Sequence, residues 1–104
     1  MLVKYMLVLQ WAGSSMSDYD ALIKSEEALK STLTGGATVD GHDMGSGEMN
    51  IFVETNDPVK TFAEVEAAMR LSSLWTEMRA AYREIDGGEY KVVWPPGLST
   101  FRVT

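Results

Sequence analysis

Asp57–Ile85, DPVKTFAEVEAAMRLSSLWTEMRAAYREI, holds two apolar stripes that are out of phase. Asp57 followed by Pro58 reads as a helix start. The carboxylate can cap the first amides, and proline's missing N–H costs nothing at the first helical position. Phe62, Val65 and Met69 then recur at helical spacing. Continuing that period would put apolar side chains near positions 73 and 76, where Ser73 and Thr76 stand. The next apolar set is Leu71, Leu74, Trp75, Met78, Tyr82 and Ile85, about half a helical turn away. One straight helix cannot bury both sets against one surface. The spacing therefore predicts a helix broken near residues 71–73, with a second helix from about Leu74 to Glu84.

Upstream, Leu2–Trp11 is apolar, aromatic and β-branched, and Ala12-Gly13-Ser14-Ser15 closes it, which predicts a central strand. Ser17 followed by Asp20 resembles a capping box, and Tyr19, Leu22, Ile23, Leu29 and Leu33 fall on one helical stripe. Gly35-Gly36 would end that helix as a left-handed cap. The stretch Asp40–Pro58, DGHDMGSGEMNIFVETNDP, comes next. A short strand over Ala37–His42, a glycine-rich loop over Gly41–Gly47 and an alternating strand over Glu48–Thr55 read together as a hairpin. Near the C-terminus, Asp86-Gly87-Gly88 is a turn and Tyr90–Trp94 a strand. Pro95-Pro96-Gly97 stops it, since proline cannot donate into a ladder. Ser99–Val103 is read as a short edge strand.

The order β-α-β-β-α-(α)-β is that of an α+β, ferredoxin-like βαββαβ sandwich: a four-stranded antiparallel sheet with its helices on one face. At 104 residues this is one domain, spanning residues 1–104. A composition of 45% hydrophobic and 23% charged residues is that of a globular chain rather than a disordered one. There is no cysteine, which removes disulfides, thiolate metal sites and cysteine nucleophiles, and fits a reducing, cytoplasmic setting. The net charge of −6, with scattered Lys and Arg, argues against nucleic acid. No apolar run approaches the ~20 residues of a membrane helix. Gln10 and Trp11 interrupt the N-terminal apolar run, and no Ala-x-Ala pattern succeeds it, so it reads as a strand and not as a signal peptide.

If Val3, Leu7, Ile51, Val53 and Val92 face the helices, then Met6, Val8, Phe52 and Val93 form an apolar centre on the open face. Lys4, Asn50, Glu54 and Lys91 would rim it, with Gln10 also pointing outward. Such a patch marks an interface or a ligand surface. It fits a homodimer through this face, a small apolar ligand, or cover by a tail carrying Leu98 and Phe101.

Candidate chemistry gathers in the hairpin. Asp40, His42, Asp43, Glu48 and Asn50 are the residue types that hold a divalent metal or a polar ligand, or that pair a carboxylate with an imidazole. No HExxH, second histidine or EF-hand spacing accompanies them, and a polar turn is the simpler reading. Gly45-Ser46-Gly47 lacks the lysine and adjoining helix of a phosphate-binding loop. Ser14, Ser15 and Ser46 have no visible triad partners. Trp11, Trp75 and Trp94 read as core. Glu26, Glu27, Glu64, Glu66 and Glu77 read as solvated helix faces. No catalytic residue and no cofactor is implied.

The segments DGHDMGSGEMNIFVETNDP, AAYREIDGGEY and VVWPPGLSTF together resemble a family of small uncharacterised bacterial proteins. Its members share an Asp-Gly-His-Asp…Gly-Ser-Gly-Glu-Met-Asn-Ile-Phe block, an Asp-Pro helix start and a closing Trp-Pro-Pro-Gly. The resemblance covers most of the chain and implies a cytoplasmic bacterial protein of ferredoxin-like type. It carries over no activity and no functional residues. The sequence thus predicts a non-enzymatic interaction or regulatory module that dimerises through its open sheet face. The alternatives are a ligand- or metal-binding domain, or small enzyme, with its site at residues 40–48, and an acidic immunity- or antitoxin-type protein bound to a basic partner.

Overall fold

The computed structural model describes residues 4–33, 36–72 and 74–103. Its elements are β1 (Tyr5–Ala12), α1 (Met16–Thr32), β2 (Thr38–Gly45), β3 (Glu48–Thr55), α2 (Pro58–Met69), a 3-10 turn (Trp75–Glu77), β4 (Arg79–Glu84) and β5 (Gly87–Trp94). All strands join one sheet in the order β2-β3-β1-β4-β5, with every neighbouring pair antiparallel.

The expected four-stranded ferredoxin-like sandwich is overturned by this five-stranded sheet. The second helix does stop where its stripe fails, at Met69 with Arg70 as C-cap. Beyond it the chain makes one turn of 3-10 helix and then a strand, in place of the helix expected over 74–84. The physical reason lies in β1. Leu7, Val8, Leu9 and Trp11 are all buried, so both edges of β1 need backbone partners. Arg79–Glu84 supplies the second edge, pairing Leu9 with Ala80 and Leu7 with Tyr82. The helix-favouring Ala and Arg side chains yield to that tertiary demand. Tyr90–Trp94, expected as the last of four strands, becomes part of the outer strand β5. Ser99–Val103 adds no strand. The expectations placed on Val3, Gly35 and Ser73 lie outside the described residues.

Both helices pack on the same side. Leu22 and Leu29 of α1 and Phe62, Val65 and Met69 of α2 share one buried cluster with Leu7, Leu9, Trp11, Met49, Ile51, Val53 and Ala80. Those strand residues alternate, as one face of a pleated sheet must. Phe62, Trp75 and Trp94 stack beside the cluster, with ring centroids 6.1 Å and 5.2 Å apart along the series. Trp11 packs in the core and donates its indole N–H to the Leu74 carbonyl at 2.7 Å. Trp11 is core, as read, whereas Trp75 and Trp94 are partly buried and pack against the core.

Local signals place the ends of the elements. The N-cap of α1 lies two residues before the expected Ser17. Ser15 is its N-cap, its hydroxyl accepting from the Asp18 amide while Asp18 accepts from the Ser15 amide. Asp57 caps α2 as expected, accepting from the Lys60 amide at 3.1 Å. The loop expected over Gly41–Gly47 shrinks to Ser46-Gly47, both at positive φ (56° and 75°). Two residues in that conformation form the turn that matches strand twist in a tight hairpin. Among the described residues, no helix is long and apolar enough to cross a membrane.

Candidate functional site

The second face of the sheet points away from the helices. On it stand Met6, Val8 and Gln10 of β1; Glu48, Asn50, Phe52 and Glu54 of β3; Gly41 and Asp43 of β2; and Arg79, Ala81 and Arg83 of β4, in register. Val92 lies opposite Ala81 and joins them. Simple alternation assigns Val93 to this face and Val92 to the other. A bulge between Ala80 and Ala81 inserts the extra residue that swaps them, and Val93 packs against the helix-side core.

One row of this face is polar from strand to strand. The Asn50 side-chain amide donates to Asp43 Oδ1 at 2.9 Å and to Glu48 Oε2 at 3.1 Å. Gln10 Nε2 donates to Asn50 Oδ1 at 3.1 Å, and Arg79 donates to Gln10 Oε1. The row thus runs carboxylate, amide, amide, guanidinium across β2, β3, β1 and β4. Gln10 is 0% exposed and Asn50 1%. Buried amides of this kind are stable only when their donors and acceptors are matched, and no buried side-chain N or O among the described residues lacks a partner.

The chain after β5 lies on this face. Gln10 Nε2 also donates to the Arg102 carbonyl at 3.0 Å, and Phe101 packs on Tyr90 with centroids 5.1 Å apart. The Arg83 guanidinium lies over the Tyr90 ring, 5.7 Å from its centre. Val8 and Ala81 are fully buried although no helix covers them, so the tail supplies their cover. Of the candidate interface residues, Val8 is therefore enclosed, Val93 faces the core, and Met6 and Phe52 remain partly exposed.

Of the hairpin residues, Asp43, Glu48 and Asn50 come together through the Asn50 amide, whereas Asp40 and His42 do not join them. Strand alternation sends Asp43, Glu48 and Asn50 to the outer face and His42 to the helix side. Asp40 is the bulged residue between Val39 and Gly41 and is exposed. Among the described residues no group of three or more His, Asp or Glu is placed to hold a metal. His42 instead meets Glu26 of α1, with Nδ1 and Oε2 2.9 Å apart, and the Tyr19 ring centre lies 5.9 Å from that of the imidazole. The carboxylate accepts from Nδ1–H and fixes the ring, so the pair is an oriented imidazole. Lys30 Nζ lies 3.9 Å from the other Glu26 oxygen.

Sequence reasoning places Glu26 on a solvated face, yet it is only 5% exposed. The missed signal is spacing: Glu26 stands between Leu22 and Leu29 on the buried stripe. Arg79 was hidden by the helix expected over 74–84, and Arg102 by the expected edge strand. Two surface depressions are also present. A groove of about 560 Å³ runs between α1 and α2, lined by small residues such as Ala21, Ser25, Ala28 and Ala68. A cleft of about 430 Å³ is bordered by Glu48, Arg79, Phe101 and Arg102.

No family model, curated protein or solved structure matches this chain.

Proposed function

We propose that this chain is a non-enzymatic interaction module that works through the outer face of its sheet, with a second copy as its partner. The observation that carries the reading is the mixed character of that face. Met6 and Phe52 stay partly exposed beside a buried polar row, on the side of the sheet that no helix covers. An apolar centre with a polar rim is the usual anatomy of a protein interface. In favour of this reading over a site at residues 40–48, the register puts Asp43 and Glu48 on one face of the sheet and His42 on the other. The Glu26–His42 pair reads as a clasp holding α1 to β2.

The test is Phe52→Asp in the full chain, with light scattering as the readout. The side chain is partly exposed, so the fold is expected to survive, with an unchanged circular dichroism spectrum. The expected result is a dimeric wild type and a monomeric variant. A variant that remains dimeric would place the interface elsewhere.

A further inference from the structure

The cover of the outer face hangs on one exposed turn. After β5 the Leu98 amide donates to the Pro95 carbonyl at 3.3 Å, closing a reversal in which Gly97 takes φ 88°. Pro96 and Gly97 are exposed, and a Cβ added at Gly97 would meet nothing within 4 Å. The tail, residues 98–103, then lies on the chain's own sheet. It is held by the Phe101 ring on Tyr90 and by the Arg102 carbonyl on Gln10. Phe101 and Val103 are partly buried, whereas Arg102 between them is exposed. Beneath the tail, Val8, Gln10 and Ala81 are wholly buried. Both Nε2 protons of Gln10 are used, one by Asn50 and one by the Arg102 carbonyl, while its Oε1 accepts from Arg79. Without that carbonyl a buried donor would be stranded, which costs more than an ordinary hydrogen bond gains.

A second copy can therefore reach the centre of this face only by bringing an equivalent cover, and the chain itself carries one. We infer that the tail is exchanged. Residues 98–103 of each copy cross to the sheet of the other, where Phe101 meets the second copy's Tyr90 and the Arg102 carbonyl accepts from its Gln10. Exchange of an identical element keeps the contacts that seal the face and alters the turn alone, which makes it a low-cost route to a closed two-fold dimer. The turn suits that role. The rings of Pro95 and Pro96 fix φ, and Pro95, standing before a proline, is held in extended backbone, so the hinge is stiff in either form. Gly97 decides the direction. At positive φ it returns the tail to its own sheet, and in extended backbone it sends the tail away. The inference rests on the proposed pairing through the outer face and names what the second copy contributes to it.

Two measurements on the full chain test it. The chain has no cysteine, so the pair Tyr90→Cys and Phe101→Cys, joined by a short bis-maleimide, reports where the tail lies. The expected product on a denaturing gel is a covalent dimer of twice 11.5 kDa. Links confined to single chains, or no link at all, in a protein that light scattering shows to be dimeric would overturn the exchange and leave the module reading standing. The second variant, Gly97→Val, keeps both rings and disfavours the reversal through the backbone alone. It is expected to dimerise at least about tenfold more tightly than wild type, because a β-branched residue resists positive φ. A tail that merely seals its own sheet would instead give a less stable variant with no gain in association. Association of Gly97→Val equal to or weaker than that of wild type would thus also overturn the exchange. Wild type and Gly97→Val both monomeric at every concentration would overturn the exchange together with the reading it rests on.

Discussion

Asp18 shows how one side chain fixes an element's start. Its carboxylate accepts from the amides of Ser15 and Ser14, both at 3.0 Å, and these bonds hold its pKa below the usual carboxylate range. A depressed carboxylate contributes stability above its unfolded pKa and loses it as pH falls through the folded one. Asp18→Asn is therefore expected to lower the Tm at neutral pH, with the gap to wild type closing as the solution is made acidic. A gap that is constant with pH would contradict the assignment. Ser15→Ala removes the reciprocal half of the box and is expected to cost about 1 kcal/mol in denaturant titration. Gln10 is the keystone of the polar row, touching Asn50, Arg79 and the tail. Replacing it by Leu strands polar partners in a buried site, so a loss of about 2 kcal/mol is expected from unfolding curves. An unchanged midpoint would mean that the row adds nothing to the fold.

At the scale of elements, legibility tracked local chemistry. The Asp57-Pro58 start of α2, the first strand and the β2–β3 hairpin were readable, because capping carboxylates, turn glycines and alternation act within a few residues. The stretch Arg79–Glu84 was not. Its Ala, Arg and Glu favour helix, and its alternation of Ala80 and Tyr82 against Arg79, Ala81 and Arg83 is weak when the buried residue is only alanine. The vacant edge of β1, remote in sequence, decides the outcome. The same limit applies to the site. Register sends His42 and Asp43 to opposite faces, and the partner of His42 lies on α1, 16 residues away. Because Ala80 is wholly buried between β1 and the core, Ala80→Leu is expected to destabilise by about 1–3 kcal/mol through overpacking. The amides of β4 that bond to β1 are expected among the slowest to exchange with deuterium. A harmless Ala80→Leu and fast exchange would contradict the strand.

Across the whole molecule, the sheet has two differently built faces. One is sealed by α1 and α2 around a continuous apolar cluster. The other is covered in part by a tail without regular structure, and it combines a buried amide row with partly exposed Met6 and Phe52. The chain carries a net charge of −6, yet Arg79 and Arg83 both stand on β4 on this face. General repulsion between two acidic copies would oppose pairing, so local matching of charge has to outweigh it, and that matching is what salt screens. The most direct measurement is the mass of the full chain in solution, by light scattering across a dilution series at low salt. The account predicts twice the 11.5 kDa of the chain, falling towards a single copy as Phe52→Asp is introduced. A wild-type mass of 11.5 kDa at every concentration would contradict it.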